Sequence, residues 1–178
     1  MADKKLQSFN SGSGFTLVEL IVAVGLFAVV VSIALGGFAR ALRTQRQVAA
    51  LIAANSNVSL AIEQMAREIR TGRIFCREST ASLCSLPSRI AFINSESQTV
   101  VYRLSGEAIE RGAGGVFGKI TGENVSVKYL RFILFGNMSE DGYLPRITVS
   151  IGVGAKGLGV SGIVTNLHTT VSSRALDT

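Results

Sequence analysis

Histidine occurs once, cysteine twice and proline twice in 178 residues, and only 17% of the side chains are charged. The lone histidine, His168, lies in a strand-like stretch, so no Cys–His pair or paired histidines stand ready for catalysis. No H-E-x-x-H or G-x-S-x-G motif stands out either. Two thiols with no second pair of thiols or histidines do not complete a four-ligand metal site. Low charge beside 47% hydrophobic residues excludes a solvated, disordered chain. Lys and Arg outnumber Asp and Glu by 18 to 12, a net charge of +6, but the excess is scattered from Lys4 and Lys5 to Arg146. A nucleic-acid binder clusters its bases or interleaves them with aromatic rings, so nucleic acid is not the partner this pattern calls for. There is no internal repeat at a fixed period and no second long helical pattern.

An apolar stretch is also missing from the place where a secretory signal would carry it. Residues 1–14, MADKKLQSFNSGSG, are polar and rich in glycine and serine, and the apolar run begins only after Gly14. From Leu20 to Ala39 it contains no charged residue. As a helix this run spans ~30 Å, the thickness of a bilayer's hydrocarbon core, and it reads as a transmembrane helix. Glu19 is the exception at its head: a carboxylate next to lipid is costly and persists where it has a partner or snorkels to the interface. Arginines 40, 43 and 46 follow the run, so the positive-inside rule on its own would place the C-terminal side within the cell.

Beyond the run, helical periodicity continues. Val48, Asn55, Ile62 and Ile69 recur every seven residues, interleaved with Leu51, Val58 and Met65, and form a stripe expected to pack on the protein's own C-terminal domain. A helix from Phe15 to about Thr71 would be roughly 85 Å long. Gly72 follows as a candidate C′ glycine. Strands are expected at 89–94, 99–104, 107–111, 125–135, 146–153 and 163–173, with a tight turn at Ser105-Gly106. With no crossover helices the sheet must be largely antiparallel. The expected fold is α+β: a long N-terminal helix packed on an antiparallel sheet. Its parts are residues 1–14, a membrane segment 15–39, an amphipathic continuation 40–71 and a β domain 72–178.

GVGAKG (152–157) and GLGVSG (157–162) satisfy G-x-G-x-x-G but lack the following helix of a dinucleotide site, and read as loop between the last two strands; GAGGVFG (112–118) is read the same way. NMSEDGY (137–143) lacks EF-hand spacing, so Glu140 and Asp141 read as a hairpin turn rather than a calcium site. No cofactor is called for. Cys76 and Cys84 form a close pair that reads as a disulfide if the domain is exported, with two free thiols as the alternative. Such a bond would stabilise the fold by roughly 2–3 kcal/mol on the chain-entropy model.

The segment GFTLVELIVAVGLFAVVVSIAL resembles the start of the type IV pilin-like proteins, pilins and type II secretion pseudopilins, on Gly14, Phe15 and Glu19 in register before a membrane span. The resemblance implies that a prepilin peptidase removes residues 1–14, cutting between Gly14 and Phe15 and methylating the new amino terminus on Phe15. It implies that Glu19 faces that amino terminus on a neighbouring subunit. It also implies partners in other pilin or pseudopilin subunits, an inner-membrane assembly platform and membrane lipid. The expected location is single-pass in the inner membrane with the β domain outside the cytoplasm, then in an extracytoplasmic filament. The stretches YRLSGEAIERG, VSVKYLRFILFG and TTVSSR are similar to J-type minor pseudopilins and W-type minor pilins, which sit at or near filament tips. A departure is Gly36-Gly37 where major pilins often carry proline. The function so implied is a non-enzymatic minor subunit of a type II secretion pseudopilus or type IV pilus. A major subunit, a membrane-anchored binding domain that never polymerises, and a DNA-uptake or adhesive role at a tip are the rivals.

Overall fold

The computed structural model describes residues 14–138, 142–157 and 162–174. The leader positions 1–13, Glu140 and Asp141 of the proposed turn, and most of GLGVSG lie outside them. Two compact units divide the chain, Met1–Thr44 and Gln45–Thr178.

One helix, α1 (Leu17–Thr71), runs through both units. No proline interrupts it, and Ala and Leu, strong helix formers, recur along it. In the second unit α1 buries Ala54, Val58, Ala61, Met65 and Ile69, spaced three and four apart as one helical face requires. This corrects part of the expected stripe. The Leu51–Val58–Met65 series does face the sheets, Ile69 is wholly buried and Ile62 packs at the edge of the core, but Ala54 and Ala61 are buried where Val48 and Asn55 were expected to be. Val48 is 48% exposed. Hydrophobicity alone favours valine over alanine, whereas the helix face that meets the sheets runs through Ala54 and Ala61.

Gly72 ends the helix for a different reason from the one expected. It is not among the residues with positive φ, so it is no left-handed cap. A Cβ there would lie 2.6 Å from Cδ2 of Phe92 and 2.9 Å from Cζ of Phe75, so only glycine admits both rings. The free carbonyls of the last turn are met from the far end of the chain: the Arg174 N–H donates to the Arg70 carbonyl at 2.9 Å, and the Ser173 hydroxyl to that of Gly72 at 2.8 Å.

Seven strands follow a short 3₁₀ helix at Glu78–Cys84. They are β1 (Arg89–Ile93), β2 (Thr99–Ser105), β3 (Ala108–Ala113), β4 (Val116–Lys119), β5 (Val125–Phe135), β6 (Arg146–Ala155) and β7 (Thr165–Ser172). They form two antiparallel meanders, β1-β2-β3-β4 and β5-β6-β7, rather than one sheet. Strand β4 was read as loop. GAGGVFG is instead a hairpin whose turn residues Gly114 and Gly115 take φ of 57° and 85°, the mirror-image backbone that tight hairpins need. GVGAKG is likewise strand as far as Ala155.

The core joins α1 to both sheets. Val58, Met65 and Ile69 meet Phe92, Val100, Tyr102 and Ile109 of the first sheet and Val127, Phe132, Ile147 and Val149 of the second. The segment before β1 runs along that edge strand's free side: the Cys76 N–H donates to the Ala91 carbonyl at 2.9 Å and the Ala91 N–H to Cys84 Sγ at 3.2 Å. Ile90, Ala91 and Phe92 are all buried, against the alternation of a one-sided strand.

Candidate functional site

The first unit's described part is the start of α1. Thr16 precedes the helix and its Oγ1 accepts the Glu19 backbone N–H at 3.2 Å, while the Leu20 N–H makes the first helical bond to the Thr16 carbonyl at 3.1 Å. Thr16 thus acts as N-cap and Glu19 as N3, the S/T-x-x-E spacing of a capping box. That signal is present in the sequence as Thr16–Glu19, outside the reading of Glu19 as a charge beside lipid. An acid in the first turn also suits the positive end of the helix dipole. Among the described residues the Glu19 carboxylate makes no ion pair.

Phe15 is 82% exposed, and Gly14 beside it is open as well. Gly14, Phe15 and Glu19 therefore lie together at one accessible helix start. The helix behind them is long and apolar enough to cross a membrane, with mean hydropathy of 2.7 over its most apolar window and none of that window buried within the chain. Residues 10–35 match the prokaryotic N-terminal methylation motif. The motif supports a type IV pilin-like subunit. The matched segment ends within α1, so the family evidence lies in the N-terminal part of the chain. No curated protein and no solved structure matched the chain.

The other residues singled out from the sequence lie in the second unit. Cys76 and Cys84 are joined as a disulfide with Cα atoms 5.6 Å apart. Cys76 and Glu78 within the loop it closes take left-handed φ of 50° and 51°, as does Ile74 just before it at 56°. Non-glycine residues avoid that region, so the loop's backbone is held by its surroundings. Thr80 helps: its Oγ1 accepts the Arg77 N–H at 2.9 Å and donates to the Ile74 carbonyl at 2.9 Å. His168 is exposed on β7 with Nδ1 2.9 Å from Ser150 Oγ. Among the described residues no three of His, Cys, Asp and Glu gather as a metal site.

A buried polar cluster was not anticipated. Glu68 on α1 takes the Tyr102 hydroxyl at 3.0 Å and the Arg111 Nε–H at 2.9 Å, linking the helix to β2 and β3. Burial first, then the negative charge of Glu68, pushes the Tyr102 phenol pKa upward. Partial burial is the largest single influence on Arg111 and lowers its pKa, but the hydrogen bond and charge of Glu68 together with Tyr102 raise it on balance. No short-range pattern ties residues 68, 102 and 111, so sequence reading had nothing to find.

Proposed function

We propose that this chain is a minor pilin or pseudopilin subunit, made as a membrane precursor and matured by cleavage between Gly14 and Phe15 with methylation of the new amino terminus. One observation carries the reading: glycine, phenylalanine and glutamate in register at an exposed helix start, ahead of an unbroken apolar helix and within the matched methylation motif. Cleavage creates a cation on Phe15, and each subunit then carries one charge of each sign. In a medium of low dielectric the Glu19 carboxylate attracts a neighbour's amino terminus strongly. Glu19 draws an incoming subunit into register as its helix leaves lipid.

The second unit presents the two-sheet domain outside the cytoplasm, where an oxidising compartment keeps Cys76 and Cys84 bonded. The subunit works by contact, with the inner-membrane assembly platform during assembly and with other subunits in the filament. The similarity of its tail to J-type and W-type relatives favours a tip position.

Intact mass and N-terminal sequencing of the native protein extracted from membranes tests the proposal. It requires a species starting at N-methylated Phe15. A chain that keeps Met1 in cells with an active prepilin peptidase rules it out.

A further inference from the structure

The outer face of the β5-β6-β7 sheet carries a charge arrangement separate from the Gly14–Phe15–Glu19 helix start. Alternate residues of β5 point to it, Arg131, Ile133 and Phe135, all exposed. Their antiparallel partners on β6 are Ser150, Thr148 and Arg146. On β7 the row continues with His168 and Thr170.

The neutral polar groups of this face are paired with each other. Thr148 Oγ1 lies 2.9 Å from Thr170 Oγ1, and Ser150 Oγ lies 2.9 Å from His168 Nδ1. The two guanidinium groups are not so satisfied. Arg146 lies over the Phe135 ring at 5.2 Å, and neither it nor Arg131 pairs with a carboxylate among the described residues. The three strands contain no Asp or Glu. Glu107, the acid bonded to β5, is already committed to Lys128 at 2.7 Å and to Ser126 at 2.8 Å. Beside Arg146 lies a hollow of about 250 Å³ lined by Ile133, Phe135, Arg146, Thr148 and Thr170.

We propose that this face docks an extended acidic segment of another protein, with one apolar side chain in the hollow and a carboxylate on either side bound by Arg131 and Arg146. Spacing supports that occupant. The register places Arg131 opposite Ser150, four residues along β6 from Arg146. At ~3.3 Å per residue and ~4.8 Å between strands, their Cα atoms are about 14 Å apart. Residues i and i+4 of an extended peptide span ~13 Å. Carboxylates four residues apart thus reach both arginines while residue i+2 sits over Ile133. Arginine suits such capture because its planar fork matches a carboxylate. The sheet is already formed and its neutral groups are paired, so docking orders little of the surface. Two cations this far apart are sparse for a nucleic-acid backbone, which carries a phosphate at every nucleotide.

The test uses the full chain in detergent micelles and a fluorescein-labelled ten-residue peptide centred on Glu-Thr-Leu-Thr-Glu. A twin with Gln for both Glu and a short oligothymidylate strand are the comparison probes. Saturable binding of the acidic peptide is expected, weakened about tenfold for the twin and for the Arg131→Gln/Arg146→Gln chain. Ile133→Ser should weaken it as well. Arg131→Gln alone makes no change at the Phe135 ring and guards against a folding artefact, checked by an unaltered melting temperature. Absence of saturable binding, equal binding of the twin, or indifference to both arginine variants overturns the proposal. Tighter binding of oligothymidylate than of peptide at matched salt also overturns it, and assigns the face to nucleic acid.

Discussion

The Glu68 carboxylate accepts the hydroxyl of Tyr102 at 3.0 Å, across 34 residues of sequence, at a ring with no exposed surface. The same carboxylate pairs with Arg111, whose side chain is 26% exposed. One acid on α1 therefore fixes the helix against two strands of the first sheet.

Removing Glu68 leaves a buried hydroxyl and a partly buried guanidinium without their partner. Glu68→Leu is expected to destabilise the chain by about 2–3 kcal/mol, and Tyr102→Phe by about 1–2 kcal/mol, because Arg111 still satisfies the acid. Chemical denaturation in detergent measures both. The pH dependence has a definite sign. The folded-state pKa of Tyr102 lies above its unfolded value of about 10, so its contribution is full below that pH and is lost as pH rises through the folded pKa. The alkaline fall in stability should be shallower in Tyr102→Phe than in the parent. Identical slopes would show that the phenol does not carry it.

The helix stripe is open to a direct comparison. Val58 is wholly buried and Val48 is 48% exposed, although both fall on the seven-residue pattern. Val58→Ala should lower stability by ~1–3 kcal/mol, whereas Val48→Ala should stay within about 0.5 kcal/mol of the parent. Met65→Ala, at another wholly buried site, should lower it by about 2–5 kcal/mol. Melting curves of the three variants decide whether the buried face is the one described.

Reduction of the Cys76–Cys84 bond frees a loop in which Cys76 and Glu78 hold left-handed backbone. Stability should drop by roughly 2–3 kcal/mol with reductant or in Cys76→Ser/Cys84→Ser. Hydrogen exchange should rise first at the Ala91 amide, which loses its contact with Cys84 Sγ. An unchanged melt would mean that Thr80 and the backbone bonds hold the loop unaided.

Thr16 and Glu19 separate helix capping from assembly. Thr16→Val removes the acceptor of the Glu19 N–H and should weaken the helix start by ~1 kcal/mol while leaving the carboxylate in place. Glu19→Gln keeps a capping-competent side chain and removes the charge. If charge attraction drives assembly, filament incorporation is lost in Glu19→Gln and kept in Thr16→Val, as scored by immunoblot of sheared filaments. The reverse result would make Glu19 a helix-start residue only.

Some of this was legible in the chain because it is local. Hydrophobicity over consecutive residues reveals the apolar helix, and β-branched runs punctuated by turns reveal strands: β5 begins and ends at the positions expected, and β1 and β2 differ by a residue at one end. The Gly14–Phe15–Glu19 register is equally a matter of neighbouring letters, which is why a motif confined to residues 10–35 can be recognised without the rest of the fold.

What tertiary structure decided depends on distant residues meeting. The burial of alanine at 54 and 61 is decided by which helix face meets the sheets, Gly72 by the Phe92 ring 20 residues away, and the division into two meanders by which strand edges meet. The Glu68–Tyr102–Arg111 cluster and the row from Arg131 to Arg146 have no local signature either. Periodicity records which side of an element faces inward on average. Only packing determines which partner fills that side and which charges are left without one.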